Sequence, residues 1–72
     1  MGGGPHASIF GQMFNDLTLE QMLIAKRFLD ETEKEFRRGE YTNGRVNLYN
    51  AQETLSQAIR LRERALQSGE ES

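Results

Sequence analysis

Few side chains in this sequence could do chemistry. The single histidine, His6, lies in a segment with three glycines and a proline, where nothing would hold an imidazole for proton transfer or metal binding. Glu31 and Glu35 are spaced to share a helix face, but no histidine or cysteine stands at ligand spacing from them. The chain also has no phosphate-binding glycine loop and no nucleophile elbow. We therefore expect no enzyme, no metal site, no cofactor and no small-molecule substrate.

Phosphate binding is the other chemistry that these residue types allow. Arginines and a tyrosine gather around a glycine-containing bend, and more arginines follow near the end of the chain: Arg37, Arg38, Tyr41, Arg45, Arg60, Arg62 and Arg64. The 9 basic residues are interspersed with 11 acidic ones, and the formal net charge is −2. No strong field therefore draws the chain to nucleic acid. We do not expect nucleic acid as the partner, and a small nucleic-acid-binding regulator of the four-helix-bundle type is kept as the alternative function.

The chain is too short and too polar to bury a large core by itself. It has 72 residues, of which 36% are hydrophobic. Its longest apolar run, Met22 to Ala25, is far too short to span a membrane. A single core of this size rarely offsets the conformational entropy lost on folding, so burial against a second subunit or a partner is expected. The lack of cysteine is compatible with the reducing cytoplasm, which is the expected location.

A bend at residues 37–45 separates two long segments with helical periodicity. Thr18 and Gln21 form a capping box of the T-x-x-Q type, which predicts that the first helix spans residues 19–38. Gly39 directly after it is suited to the left-handed conformation that ends many helices. These signals predict one helix, a tight turn and a second helix.

The second helix is predicted at about residues 44–67. Asn43 is the expected N-cap, with Thr42 and Asn47 as other candidates, and Gly69 closes the helix. The predicted fold is all-α: an antiparallel two-helix hairpin over residues 18–69 that completes a bundle by association. Residues 70–72 are expected to form a frayed C-terminus.

Residues of similar size repeat every seven positions in both helices. Large residues occupy one seam position and small ones the other, except for Arg62: Met22, Leu29 and Phe36 beside Ala25 and Thr32, then Leu48, Leu55 and Arg62 beside Ala51, Ala58 and Ala65. The small residues predict a close helix approach, with the large residues covering one another. Arg62 is expected to extend along this seam or to pair with Asp16 or Glu20, and an anion-binding role is a further alternative.

The N-terminal segment is predicted as a flexible tail and a short arm. Residues 1–7, MGGGPHA, form the tail, and residues 8–17 form an amphipathic arm. Such a short helix is unstable alone. The arm is therefore expected to dock on the hairpin itself, or to insert into a groove on another protein and carry the function.

Apolar side chains outside the seam predict an association surface. Leu19, Leu23, Ile24 and Phe28 make the first half of the first helix apolar around more than half of its circumference, so it needs a second neighbour. In the second helix, Tyr49 lies in a stretch that is nearly free of charge. That composition is typical of an association surface, or of an ordinary neutral polar face.

We therefore expect a non-enzymatic protein-interaction module, acting as an adaptor, co-chaperone or assembly factor. Its partner would be another protein or a second copy of the chain. The candidate partner-binding residues are apolar or aromatic and lie on the arm and on both helices: Phe10, Met13, Phe14, Leu17, Leu23, Ile24, Phe28 and Tyr49.

Overall fold

The protein is a helical hairpin. A computed structural model describes residues 9–68, which form α1 (Ile9–Arg37) and α2 (Tyr41–Gln67), packed against each other along their length. At 1.5 Å per residue the two helices are about 43 and 40 Å long. The predicted all-α hairpin is confirmed. The expected tail at 1–7, its neighbour Ser8, Gly69 and the frayed end at 70–72 lie outside the described residues.

α1 is one continuous helix in which the expected arm and the expected first helix are joined. Thr18 does not act as a cap. Its hydroxyl Oγ1 donates a hydrogen bond to the carbonyl oxygen of Phe14 at 2.8 Å, one turn back within the helix. In a helix interior, a threonine hydroxyl can make its hydrogen bond to the backbone in this way. The apolar pattern that predicted the arm therefore runs on without a break into the rest of α1.

The turn between the helices depends on Gly39, which has a φ of +78°. Its amide donates to the carbonyl of Phe36 at 3.1 Å, and the amide of Glu40 donates to that of Glu35 at 2.8 Å. This is the Schellman arrangement of hydrogen bonds at a helix C-terminus. The predicted left-handed position of Gly39 is confirmed, and it reverses the chain within three residues.

α2 begins at Tyr41, earlier than the expected start near Gly44. Glu40 precedes it without a side-chain cap, and the amide of Gly44 already makes a helical hydrogen bond of 3.0 Å to the carbonyl of Glu40. The ring of Tyr41 packs edge-on against that of Phe36, with centroids 5.3 Å apart. Asn43 is therefore a residue of the helix and not its cap. The aromatic contact holds the first turn of α2 against the end of α1.

A line of small residues forms the contact between the helices. The buried residues between 9 and 68 include no side chain larger than threonine: Gly11, Ala25, Thr32, Gly44, Ala51, Thr54, Ala58 and Ala65. The predicted heptad of small residues is thus extended by Gly11 at one end and Gly44 at the other. A Cβ on Gly44 would overlap the ring of Phe36. Thr32 Oγ1 donates to the carbonyl of Phe28 at 2.8 Å and lies 3.5 Å from that of Gly44.

The large seam residues are not covered as expected. Met22, Leu29, Phe36, Leu48 and Leu55 are each 42–46% exposed. Two helices in contact bury only the narrow strip between their axes, and the small residues already fill that strip. The large side chains flank it and point outward along one side of the hairpin.

Replacing Ala51 tests the close helix contact. This side chain is 1% exposed, so Ala51→Leu must push the helices apart and should lower the free energy of unfolding by about 1–3 kcal/mol. Asn50→Leu adds the same side chain at the exposed neighbouring position and should change it by less than about 0.5 kcal/mol. Urea denaturation followed by circular dichroism, at one protein concentration, gives both values. Equal stability of the two variants would contradict the close contact.

Candidate protein-interaction surfaces

Two contacts between the helices define which residues share a side of the hairpin. Arg62 Nη1 donates to Asn15 Oδ1 at 3.1 Å near the open end, and Phe36 meets Tyr41 near the turn. Between these contacts, helical periodicity places Met22 beside Leu55, and Leu29 beside Leu48, at matching heights. Arg62, which was expected to extend along the seam or to pair with Asp16 or Glu20, thus donates to Asn15, the neighbour of Asp16 on α1.

This side of the hairpin is apolar over most of its length, and we name it the broad face. It consists of large side chains that are 42–60% exposed: Met22, Leu29, Phe36, Leu48, Leu55, Ile59 and Leu66. A groove of about 640 Å³ runs along it, lined mainly by the apolar side chains of Leu29, Leu48, Leu55 and Ile59. Monomeric soluble proteins rarely expose continuous apolar area of this extent.

Arg45 and Tyr49 form the edge of this groove. The guanidinium of Arg45 lies over the Tyr49 ring at 5.4 Å from its centroid, and Arg45 Nη2 donates to the Tyr49 hydroxyl at 3.4 Å. A cation–π contact at an exposed site stabilises by about 0.5–1 kcal/mol. The groove therefore has an apolar floor and one cationic edge.

The opposite side of the hairpin carries a second apolar area, which we name the N-terminal surface. Its residues lie on α1, half-buried or exposed, and recur at helical spacing: Phe10, Phe14, Leu17, Ile24 and Phe28. Toward the turn this side becomes polar, and Asn47 Nδ2 donates to Glu35 Oε1 at 2.8 Å. A shallow pocket at the α2 edge of the same side is lined by Leu61 with Arg60 and Arg64.

The structure divides the predicted partner-binding residues among three places. Six of them lie together on or next to the N-terminal surface: Phe10, Met13, Phe14, Leu17, Ile24 and Phe28. Leu23 is 56% exposed on the outer side of α1, away from both apolar areas. Tyr49 lies at the edge of the groove on the broad face.

Sequence reasoning missed the broad face itself. Met22, Leu29, Leu48 and Leu55 were assigned to the interior of the hairpin, yet they are more exposed than Phe28, which was assigned to its outside. The heptad of small residues already held the signal. When both helices place Gly, Ala or Thr at the contact, their larger neighbours cannot lie between them.

The ion pairs among the described residues are exposed and local. Arg37 Nη2 lies 2.7 Å from Glu33 Oε2, and Lys34 lies 3.6 Å from Glu31. Arg38 pairs with Glu40 at 3.2 Å, and this hydrogen bond raises the pKa of Arg38 above its ordinary value. Exposed pairs of this kind contribute little to stability.

Residues 9–68 contain no group of three or more His, Cys, Asp or Glu side chains that could hold a metal ion. Neither of the two helices is long and apolar enough to cross a membrane. Comparisons of the chain with protein-family models, curated proteins and solved structures found no match.

The difference in exposure between Phe28 and Leu29 gives a test within one hairpin. Phe28 is half-buried against α2, whereas Leu29 is 42% exposed. Phe28→Ala should therefore lower the free energy of unfolding by about 2 kcal/mol and Leu29→Ala by about 1 kcal/mol or less.

The measurement uses thermal or urea unfolding at sub-micromolar concentration, where single hairpins dominate, in a long-path circular dichroism cell. An equal or larger loss for Leu29→Ala at that concentration would show that the exposures are reversed. At higher concentration the comparison would also report association.

Proposed function

We propose that this chain is a non-enzymatic protein-interaction module of the adaptor, co-chaperone or assembly-factor kind, acting in the cytoplasm. The observation that carries the proposal is the location of the large apolar side chains. Within the described part of the chain, no Leu, Ile, Met or Phe side chain is buried. A large part of the free energy available from burying them therefore remains to be gained on association.

The N-terminal surface binds an amphipathic helix of another protein in this proposal. Phe14, Leu17, Ile24 and Phe28 follow one side of α1, and Leu61 lies at the same end of α2. A third helix laid along this side would cover them by the helix-in-groove mode, with apolar residues at i, i+3, i+4 and i+7 of the partner.

The charges beside this surface define the partner further. Arg60 and Arg64 line the α2 edge next to Leu61. A helix with acidic residues along one border of its apolar stripe complements this edge, and charge complementarity of this kind raises the association rate and excludes basic partners. The partner is therefore an amphipathic helix with an acidic border.

The alternative of a nucleic-acid-binding bundle is weakened by the charges at the turn. Arg37 and Arg38, two of the expected phosphate contacts, are held by Glu33 and Glu40 at 2.7 and 3.2 Å. A phosphate must compete with these carboxylates. Saturable, salt-dependent binding of single- or double-stranded RNA or DNA in a titration would instead favour the alternative.

Crosslinking from the N-terminal surface tests the proposed function. A photoreactive amino acid at Leu17, which is 37% exposed, should capture in the native cell a peptide that has an apolar stripe bordered by Asp or Glu. Ile24→Glu in the same chain should reduce this crosslink at least tenfold, since the introduced carboxylate would be buried unpaired.

The matched control is Leu23→Glu. Leu23 is adjacent to Ile24 but lies on the outer side of α1, so this variant should retain the crosslink. Loss of the crosslink in both variants, capture only of a second copy of the chain, or no capture at all would each overturn the proposed function.

A further inference from the structure

We propose that the broad face binds the broad face of a second copy of this chain, giving a four-helix bundle with both turns at the same end. In this dimer Glu33 of one copy faces Arg45 of the other, and Leu19 faces Ile59. The interface lies on the side opposite to the N-terminal surface. It therefore goes beyond the proposed function, and the dimer presents two N-terminal surfaces outward.

The area of the broad face suits a second copy. A large side chain has roughly 200 Å² to bury. The seven residues of the broad face, with Leu19 at its edge, are about half exposed, which leaves on the order of 800 Å² per copy. That is about the area that each partner contributes to a stable protein interface.

The large seam residues of two copies together form the core that one hairpin lacks. Small residues occupy the contact within each hairpin, and large ones stand beside them on the broad face. Facing two such hairpins brings Leu29 and Leu48 of each copy into one layer, and Met22 and Leu55 of each into the next. Layers of this kind form the cores of four-helix bundles.

The edges of the broad face distinguish the two possible orientations. When the two-fold axis runs parallel to the helices, each residue keeps its height, and α1 of one copy lies beside α2 of the other. The contacts of Phe36 with Tyr41 and of Asn15 with Arg62 set these heights. They place Glu33, which already pairs with Arg37 of its own helix, level with Arg45 of the other copy, so the carboxylate gains a second cation. They also place Leu19 level with Ile59, which pairs apolar side chains that are 58% and 60% exposed.

A two-fold axis perpendicular to the helices gives a poorer match. It puts the turns at opposite ends and sets α1 beside α1 and α2 beside α2. The middle of α2 lies near Leu55. With the axis there, helical periodicity sets Ile59 near Gln52 of the other copy and Leu19 near Lys26, so neither meets an apolar side chain. The orientation with both turns at one end therefore buries more of the apolar edge.

Sedimentation equilibrium of the full chain tests the dimer. The parent protein should be dimeric at tens of micromolar. Ile59→Asp should raise the dimer dissociation constant at least tenfold, because it places a carboxylate in the interface. Leu23→Asp is the matched control, since Leu23 is 56% exposed but lies off both apolar areas, and it should leave the constant unchanged.

Charge reversal tests the pairing of Glu33 with Arg45 between the copies. Recovery of the dimer in the double variant could not be explained by unfolding of a single variant. Glu33→Arg and Arg45→Glu should each weaken the dimer about three- to tenfold, and the double variant should recover most of the loss. Both positions are exposed on helix surfaces. The exposed Glu33–Arg37 pair that Glu33→Arg removes contributes little to stability, so circular dichroism should stay that of the parent.

A spin label reports the orientation. The chain contains no cysteine, so Asn43→Cys carries the only label, at an exposed position near the turn and off the broad face. In the dimer with both turns at the same end, the two labels lie within roughly 30 Å of each other, which is the width of the bundle. In a dimer with the turns at opposite ends, they are about 40 Å or more apart.

Three results would overturn the proposed dimer: a monomer at all concentrations up to about 100 µM, a dimer that Ile59→Asp leaves intact, or labels at the longer distance. None of them bears on the N-terminal surface. Ile24→Glu, conversely, should leave the dimer dissociation constant unchanged. Failure of this inference and failure of the proposed function are therefore distinguishable.

Discussion

The close approach of α1 and α2 along a line of Gly, Ala and Thr residues determines the rest of this structure. A contact made by such short side chains leaves no space for a leucine or a phenylalanine between the two helices. Most of the large apolar residues are displaced to one side or the other of the contact. The hairpin therefore holds a backbone geometry with little buried hydrophobic volume, and its two sides differ in what they present.

Much of this fold is predictable from sequence because its signals are local. Gly39 was expected in the left-handed region and is found there, and the heptad of Ala51, Ala58 and Ala65 gave the face of α2 that contacts α1. The helix boundaries were less predictable, since the same residues support two interpretations. Thr18 fits a capping box as well as a helix interior, and Gly44 fits a turn as well as a site of close helix contact. Only the position of the other helix decides between them.

The candidate surfaces show where sequence reasoning stops. The residues of the N-terminal surface could be identified from two signals. Phe10, Phe14 and Leu17 recur at helical spacing in the arm, and Ile24 and Phe28 fall outside the seam of the first helix. The broad face could not, because Leu29 and Leu55 have the periodicity of core residues, and periodicity alone does not report how many helices share the core. In a two-helix unit they are half exposed. In a bundle of more than two helices, residues with the same periodicity would be buried in the core.

The turn has a further consequence for how this chain can connect its helices. Two residues with non-helical backbone separate α1 from α2: Gly39, which has positive φ, and Glu40, which has φ −90° and ψ 67°. Loss of the left-handed conformation at Gly39 would favour one continuous helix through α1 and α2. Two such molecules could keep the same helix contact if α1 of each packed against α2 of the other, as in domain swapping. The path of the chain thus depends on the backbone at Gly39 and Glu40, whereas the contacts between the helices would be the same if another chain supplied the second helix.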